Sequence, residues 1–365
     1  MKITFPLLGN SYFAAKAILD DLGIECIVPP MSSKSALIIG TKFSPEEICL
    51  PFKIILGNYI ESIKMGADTI VLTGSCGPCR YGEYCELQMN IMKKLGYNVE
   101  FIVLDKPSSI GNKEFLRRIN IISEKSSKTA KEKLTALLNG YKIINLIDNI
   151  EKKARLLAGY EINKGELKTL LNNCKSDSIK CNSSHEMLNV MNKYNKKINE
   201  VKLDKYKNPI KIQIIGEIYT ILEPFANLYI EDKLMDLGVS TRKSLTPSWW
   251  FKDAVLSAIK LNSLNLRIAS KEYLPYYIGG HGRECIGEAL MAHKEGFSGA
   301  IQIFPMGCMP EIVSKSILPS IARDKNFPIM TLVVDEMTGE SGYDTRIEAF
   351  VDLLERRSKN VQYGN

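Results

Sequence analysis

The sequence has no apolar run approaching the roughly 20 residues that a membrane-spanning helix needs. Its first residues, Met1-Lys2-Ile3-Thr4-Phe5-Pro6-Leu7-Leu8-Gly9, hold only a short apolar stretch and no small-residue cleavage site. They read as a strand, not as an export signal. These absences predict a cytoplasmic protein with no membrane partner. Nucleotide-binding loops are missing too. There is no G-x-x-x-x-G-K-S/T segment and no G-x-G-x-x-G after the first predicted strand, and Gly279-Gly280-His281-Gly282 is too short for either. No nucleotide is expected on this chain. The net charge of +7 is modest, and no basic-aromatic module accompanies it, so no nucleic-acid partner is expected. Histidine is scarce, at three residues. His185 lies in a polar stretch and His293 in a predicted helix. Only His281, among three glycines that permit close backbone approach to a ligand, suggests chemistry.

Cysteine is well represented, with nine residues. An odd count in a chain without an export signal predicts reduced thiols and metal ligands, not a disulfide framework. Three of them precede proline by two positions: Cys49-Leu50-Pro51, Cys76-Gly77-Pro78 and Cys308-Met309-Pro310. Composition alone would give fewer than one such triplet. Proline is favoured in the first turn of a helix, where its missing N–H costs nothing. A cysteine just ahead of it sits at the helix N-terminus, where unpaired N–H groups and the dipole stabilise negative charge. Three such positions suggest a metal–sulfur centre.

The pattern along the chain repeats weakly. Lys2–Leu8 and Pro209–Ile215 read as strands, each followed by a helix that ends in Asp-Leu-Gly and then by a short strand. Helical patterns begin near Cys49 and Cys285. Apolar runs follow at Thr69–Leu72 and Ile301–Phe304, ending at Cys76 and Cys308. Further strands are predicted at Asn98–Leu104 and Pro328–Val334. Alternating strands and helices predict an α/β fold of two doubly wound parallel-sheet lobes, residues 1–106 and 209–365. Residues 107–208, rich in Lys, Asn, Glu and Leu, read as a helical insertion, with Leu134, Leu137, Leu138 and Tyr141 on one face. Asn172–Ser184, which contains Cys174 and Cys181, reads as a loop or linker.

Ligands of such sheets sit at the carboxyl ends of the strands. Cys76 and Cys308 fall just past strand ends and Cys49 and Cys285 near helix starts, so all four can reach one interlobe crevice. Cys79 completes a C-x-x-C knuckle with Cys76, and Cys85 is a sixth candidate ligand on a predicted helix. Cys26, in an apolar strand, reads as core. A lone C-x-x-C suits zinc, an iron–sulfur cluster or a redox pair. Ligands from two separate lobes favour the cluster. His281 and Glu284, just ahead of Cys285, are the candidate catalytic groups. Glu336, Glu340 and Arg346 follow the last strand and read as a loop and helix start held by a Glu–Arg pair.

The segments Cys49-Leu50-Pro51-Phe52-Lys53, Gly77-Pro78-Cys79-Arg80-Tyr81-Gly82, Phe304-Pro305-Met306-Gly307-Cys308-Met309-Pro310-Glu311 and Thr345-Arg346-Ile347-Glu348-Ala349-Phe350 resemble the 2-hydroxyacyl-CoA dehydratase superfamily, in its CoA-enzyme activase-related branch. The resemblance implies two doubly wound lobes with an oxygen-sensitive [4Fe-4S] cluster between them. It implies Cys49, Cys79 and Cys308 as ligands, joined by Cys76 and Cys285, with Cys85 as the sixth thiol that a double cubane would use. It also implies an ATP-dependent activator of the actin/Hsp70-like fold as electron donor, since this chain has no ATPase of its own. A 2-hydroxyacyl-CoA substrate and a homodimer, or a heterodimer with a related subunit, complete the expectation. A non-catalytic electron carrier and a structural zinc protein are the alternatives.

Overall fold

The computed structural model describes residues 1–74, 80–105, 110–257 and 262–363. Strands β1 (Lys2–Thr4), β2 (Glu25–Cys26), β3 (Thr69–Leu72) and β4 (Glu100–Val103) form one parallel sheet in the order β2-β1-β3-β4. Strands β5 (Lys211–Gly216), β6 (Ser240–Lys243), β7 (Gly299–Pro305) and β8 (Ile329–Val334) form a second, in the order β6-β5-β7-β8. The shared order is the sequence repeat in three dimensions, and the α/β class with two parallel-sheet lobes is as the pattern predicts. β7 is buried along its whole length, as a central parallel strand should be. β1 stops at Thr4, short of the predicted Leu8, because Pro6 has no N–H for the ladder. No helix of the described residues is long and apolar enough to cross a membrane.

Between the sheets, the described residues form the helices Asn112–Ser123, Ala130–Leu157, Glu166–Ser178 and Ser184–Glu200. The segment expected as a loop around Asn172–Ser184 is largely helical. Leu167, Leu171, Cys174 and Ser178 recur every three or four residues and are buried, so a helical face outweighs the polar composition. Only residues 179–183 separate the two helices, and the Ser183 hydroxyl caps the second by accepting from the Glu186 N–H at 3.2 Å. The Ala130–Leu157 helix opens with a Thr129–Glu132 capping box. It packs inward through Ala136, Gly140, Ile143, Ile147, Ile150 and Ala154. A Cβ at Gly140 would lie 2.4 Å from Ile18 Cδ1. The Leu134, Leu137, Leu138 and Tyr141 face points outward and is exposed.

The Leu50–Lys64 helix is buried at every position from Leu50 to Ile60. Its apolar residues belong to one continuous core that runs from Ile70 and Leu72 of β3 to Ile212 and Ile214 of β5 and Ile301 and Ile303 of β7. It crosses the Lys34–Phe43 helix at two glycines. A Cβ at Gly57 would meet the Ala36 carbonyl oxygen at 1.8 Å, and one at Gly40 the Lys53 carbonyl oxygen at 1.7 Å. Backbone cannot yield as a side-chain tip can. Gly57→Ala is expected to destabilise the protein by about 3 kcal/mol or more, through forced separation of the two helices. Urea denaturation would show this as a lower midpoint, and an unchanged midpoint would refute the close crossing.

Charged groups lock the three parts together. Asn10, just past β1, donates to Asp148 at 3.0 Å and Glu151 at 2.7 Å on the Ala130–Leu157 helix. Glu151 also meets Lys175 at 2.9 Å and Lys243, at the end of β6, at 3.8 Å. Lys243 pairs with Glu231 at 2.6 Å. Burial alone would raise the Glu151 carboxyl, but Lys175, Lys243 and Arg155 outweigh it and hold it well below its ordinary value.

At nearby Glu223 burial is the larger effect, and Lys175 and Lys243 lower the carboxyl too little to offset it. Burial pushes it up to about 7, against hydrogen bonds from Ser32 and the Phe225 N–H. A carboxyl raised in the folded state contributes stability that is fully present below its unfolded value and lost as pH rises through about 7. The contribution is about 3 kcal/mol. Urea midpoints at pH 5.5 and 8 should therefore fall more for the parent than for Glu223→Gln. Equal falls would show that Glu223 titrates normally.

Candidate functional site

The site is organised by Arg80, which opens a short 3₁₀ turn, Arg80–Glu83, downstream of β3. Its Nη1 donates to the Glu47 carbonyl at 3.0 Å. Its Nη2 donates to Cys49 Sγ at 3.2 Å and to the Gly307 carbonyl at 3.1 Å. One guanidinium thus joins the loop before Cys49, from the first lobe, to the Pro305–Cys308 turn at the end of β7, from the second.

Both cysteines sit where the Cys-x-Pro reading put them. Cys49 is the N-cap of the Leu50–Lys64 helix and Cys308 the N-cap of the Met309–Asp324 helix, each with proline in the first turn. Neither side chain caps its helix by a hydrogen bond. Each is nearly buried, at 8% and 7% exposure. Two helix N-termini and a guanidinium therefore concentrate positive potential at this junction. The turn before Cys308 depends on Gly307, whose φ of 77° is left-handed and whose Cβ, if present, would sit 3.2 Å from Arg80 Nη2.

The other predicted residues are distributed unevenly around this centre. Cys76 and Cys79 lie outside the described residues. Cys85 is the second residue of the Tyr84–Lys94 helix, half-buried, and its thiol is raised chiefly by burial. It lines a narrow cavity with Pro6, Tyr59, Gly74 and Gln88. Cys285 lies one turn inside the Gly282–Lys294 helix and is fully buried. It packs in the apolar cluster of Ile215, Ile286, Ala300 and Leu318. Burial, then the Glu311 and Glu288 carboxyls, push its thiol well above the ordinary value. No described contact joins it to Arg80 or Cys49. Cys174 and Cys181 are buried in the core that contains the insertion.

His281 is the N-cap residue of the Gly282–Lys294 helix, its ring edge-on to Trp249 at 6.0 Å. The glycine turn holding it packs on the Cys308 helix. A Cβ at Gly280 would lie 2.9 Å from Pro310 Cγ, and the Ser314 hydroxyl donates to the Gly282 carbonyl at 2.9 Å. Glu284 is buried beside Arg283, 3.5 Å away, and its Oε2 has no hydrogen-bond partner among the described residues. Glu311, in the first turn of the Cys308 helix, is raised to about 7 by burial, against donation from Gln302 at 2.9 Å.

Two residues at this junction play parts not foreseen from sequence. Lys53 is 1% exposed, donates to the Glu46 carbonyl at 3.0 Å, and forms an ion pair with Glu336 from the opposite lobe. Its signal in the sequence is a lysine inside the apolar stretch Leu50–Ile60. The Glu–Arg pair expected in the loop after β8 is absent among the described residues. Glu336 is taken by Lys53, and Arg346 donates to the Thr331 carbonyl at 2.7 Å.

Among the described residues, no group of three or more His, Cys, Asp or Glu is arranged to hold a metal ion. No protein-family model matches the chain, and no curated protein matches it either.

Proposed function

We propose that this chain holds an iron–sulfur cluster at the junction of its two lobes and takes low-potential electrons from an ATP-dependent activator of the actin/Hsp70-like fold. The observation that supports it most is the Arg80 clasp, which draws the Cys49 thiol and the turn leading into Cys308 together from separate lobes. The donor chemistry fits a cluster: two nearly buried thiols at proline-headed helix N-termini, neither spent on capping, beside a cation. Cys49 and Cys308 would hold it, with Cys76 and Cys79. Bound there by four thiolates, it would supply one-electron reduction.

The protein's own residues define what surrounds it. Arg80 and the two helix N-termini offset negative charge. Lys53 and Glu336 fix the approach of the lobes. His281, on the glycine turn packed against Pro310, would hold or deliver a proton to the substrate. The reaction class that fits is reduction or dehydration, with a 2-hydroxyacyl-CoA as the substrate implied by resemblance.

The test is anaerobic purification followed by iron, sulfide and zinc counts per chain and an EPR spectrum of the dithionite-reduced protein. About four irons with matching sulfide indicate one cubane, and about eight a double cubane. Zinc without sulfide would overturn the redox reading.

A further inference from the structure

The helical insertion carries an exposed apolar face that the proposed metal centre does not use. Leu134, Leu137, Leu138 and Tyr141 of the Ala130–Leu157 helix are 58%, 51%, 53% and 42% exposed. Phe251, on the Pro247–Ser257 helix, extends the face. It is 49% exposed, with its ring 5.6 Å from that of Tyr141. Solvent-exposed leucines at this density on one helix are unusual for a surface with no partner.

The border of the face is basic. Lys131, Lys142 and Lys252 are exposed beside it, and no ion pair among the described residues involves them. Glu132, the one acid nearby on the helix, is engaged in the capping box and with Lys128 at 3.6 Å. The bias extends to the whole insertion. Residues 107–208 hold 21 lysines and arginines against 11 aspartates and glutamates. That excess of ten exceeds the chain's net +7, so the two lobes together are slightly acidic.

We propose that this face is a docking surface for a protein partner that presents an apolar ridge bordered by carboxylates. A second copy of this chain fits poorly, because two lysine-bordered faces repel. Nucleic acid offers the leucines nothing apolar to bury against along its phosphates. A membrane fits less well than a protein. The back of the Ala130–Leu157 helix is packed into the fold through Ile143, Ile147 and Ile150, so only side-chain tips, not the whole helix, would enter a headgroup layer. Opposite charge at the border and apolar contact at the centre are the usual division of labour in a protein interface.

The test uses two synthetic helical peptides. Both carry leucines at i, i+3, i+4 and i+7; one is bordered by glutamates and the other by lysines. Fluorescence anisotropy should show the glutamate peptide binding the full chain, weakening about tenfold or more when salt is raised to about 0.5 M. The lysine peptide should not bind. Leu138→Glu and the pair Lys131→Glu with Lys142→Glu should each weaken binding at least about tenfold. These side chains are exposed, so thermal melting should be unchanged, which separates lost docking from lost folding. Equal binding of both peptides, or none, would overturn the proposal. So would a dimer in sedimentation that Leu138→Glu dissociates, or binding to phosphatidylserine vesicles in place of the peptide. None of these readouts depends on metal, so failure here leaves the cluster reading standing.

Discussion

Replacing both Cys49 and Cys308 with serine is expected to reduce the iron of anaerobically purified protein to less than about a tenth of the parent value. Serine keeps nearly the same volume but offers a hard, protonated oxygen where a cluster needs a soft thiolate. Its effect on the fold runs the other way. Both positions are helix N-caps whose thiols make no capping hydrogen bond. Serine is among the best N-cap residues, worth about 0.5–2 kcal/mol over a non-capping side chain. The double variant should therefore melt no lower than metal-free parent protein while losing its iron. That combination distinguishes ligands from core residues. Parent-like iron in the folded variant would remove both cysteines from the ligand set. Loss of zinc in place of iron would assign the site to a structural metal.

The second large effect is expected at Lys53. Its ammonium is buried among apolar neighbours and is satisfied by the Glu46 carbonyl and the Glu336 carboxylate from the other lobe. Lys53→Ala removes the charge, the contact and the packed stem together, and should cost about 3–5 kcal/mol. Lys53→Met keeps the stem. Glu336 is 28% exposed and can turn to water, so this variant should cost about 1–2 kcal/mol. Glu336→Gln leaves the buried ammonium with neutral acceptors only, and should fall between them. Urea midpoints of the three variants give the order. Indistinguishable values near the parent's would mean that the pair is formed but does not hold the lobes.

The parts legible in the sequence are those decided locally. Apolar runs at Thr69–Leu72 and Ile301–Phe304 marked the central strands β3 and β7, because a strand covered on both faces has no polar side to show. The helix N-caps at Cys49 and Cys308 were legible from cysteine and proline alone. Where composition and period disagreed, composition misled: Asn172–Ser184 is polar enough for a loop, yet the buried face of Leu167, Leu171, Cys174 and Ser178 keeps it helical as far as Ser178. The outward turn of Leu134–Tyr141 could not be read, since the Ala130–Leu157 helix is apolar on two sides and only the fold decides which is covered. The Arg80 clasp and the Lys53–Glu336 pair join residues more than 220 positions apart. Such contacts are set by how the lobes meet, which leaves no periodic trace.

The continuous core has a consequence for biosynthesis. The Leu50–Lys64 helix and β3 complete their packing only when β5 and β7 arrive, and β7 ends at Pro305. At ribosomal speeds of about 5–20 residues per second, the interval is on the order of ten seconds or more. Throughout it, the nascent first lobe displays the apolar flank that the second lobe will cover. A chain cut short in the insertion would keep that flank uncovered and is expected to aggregate.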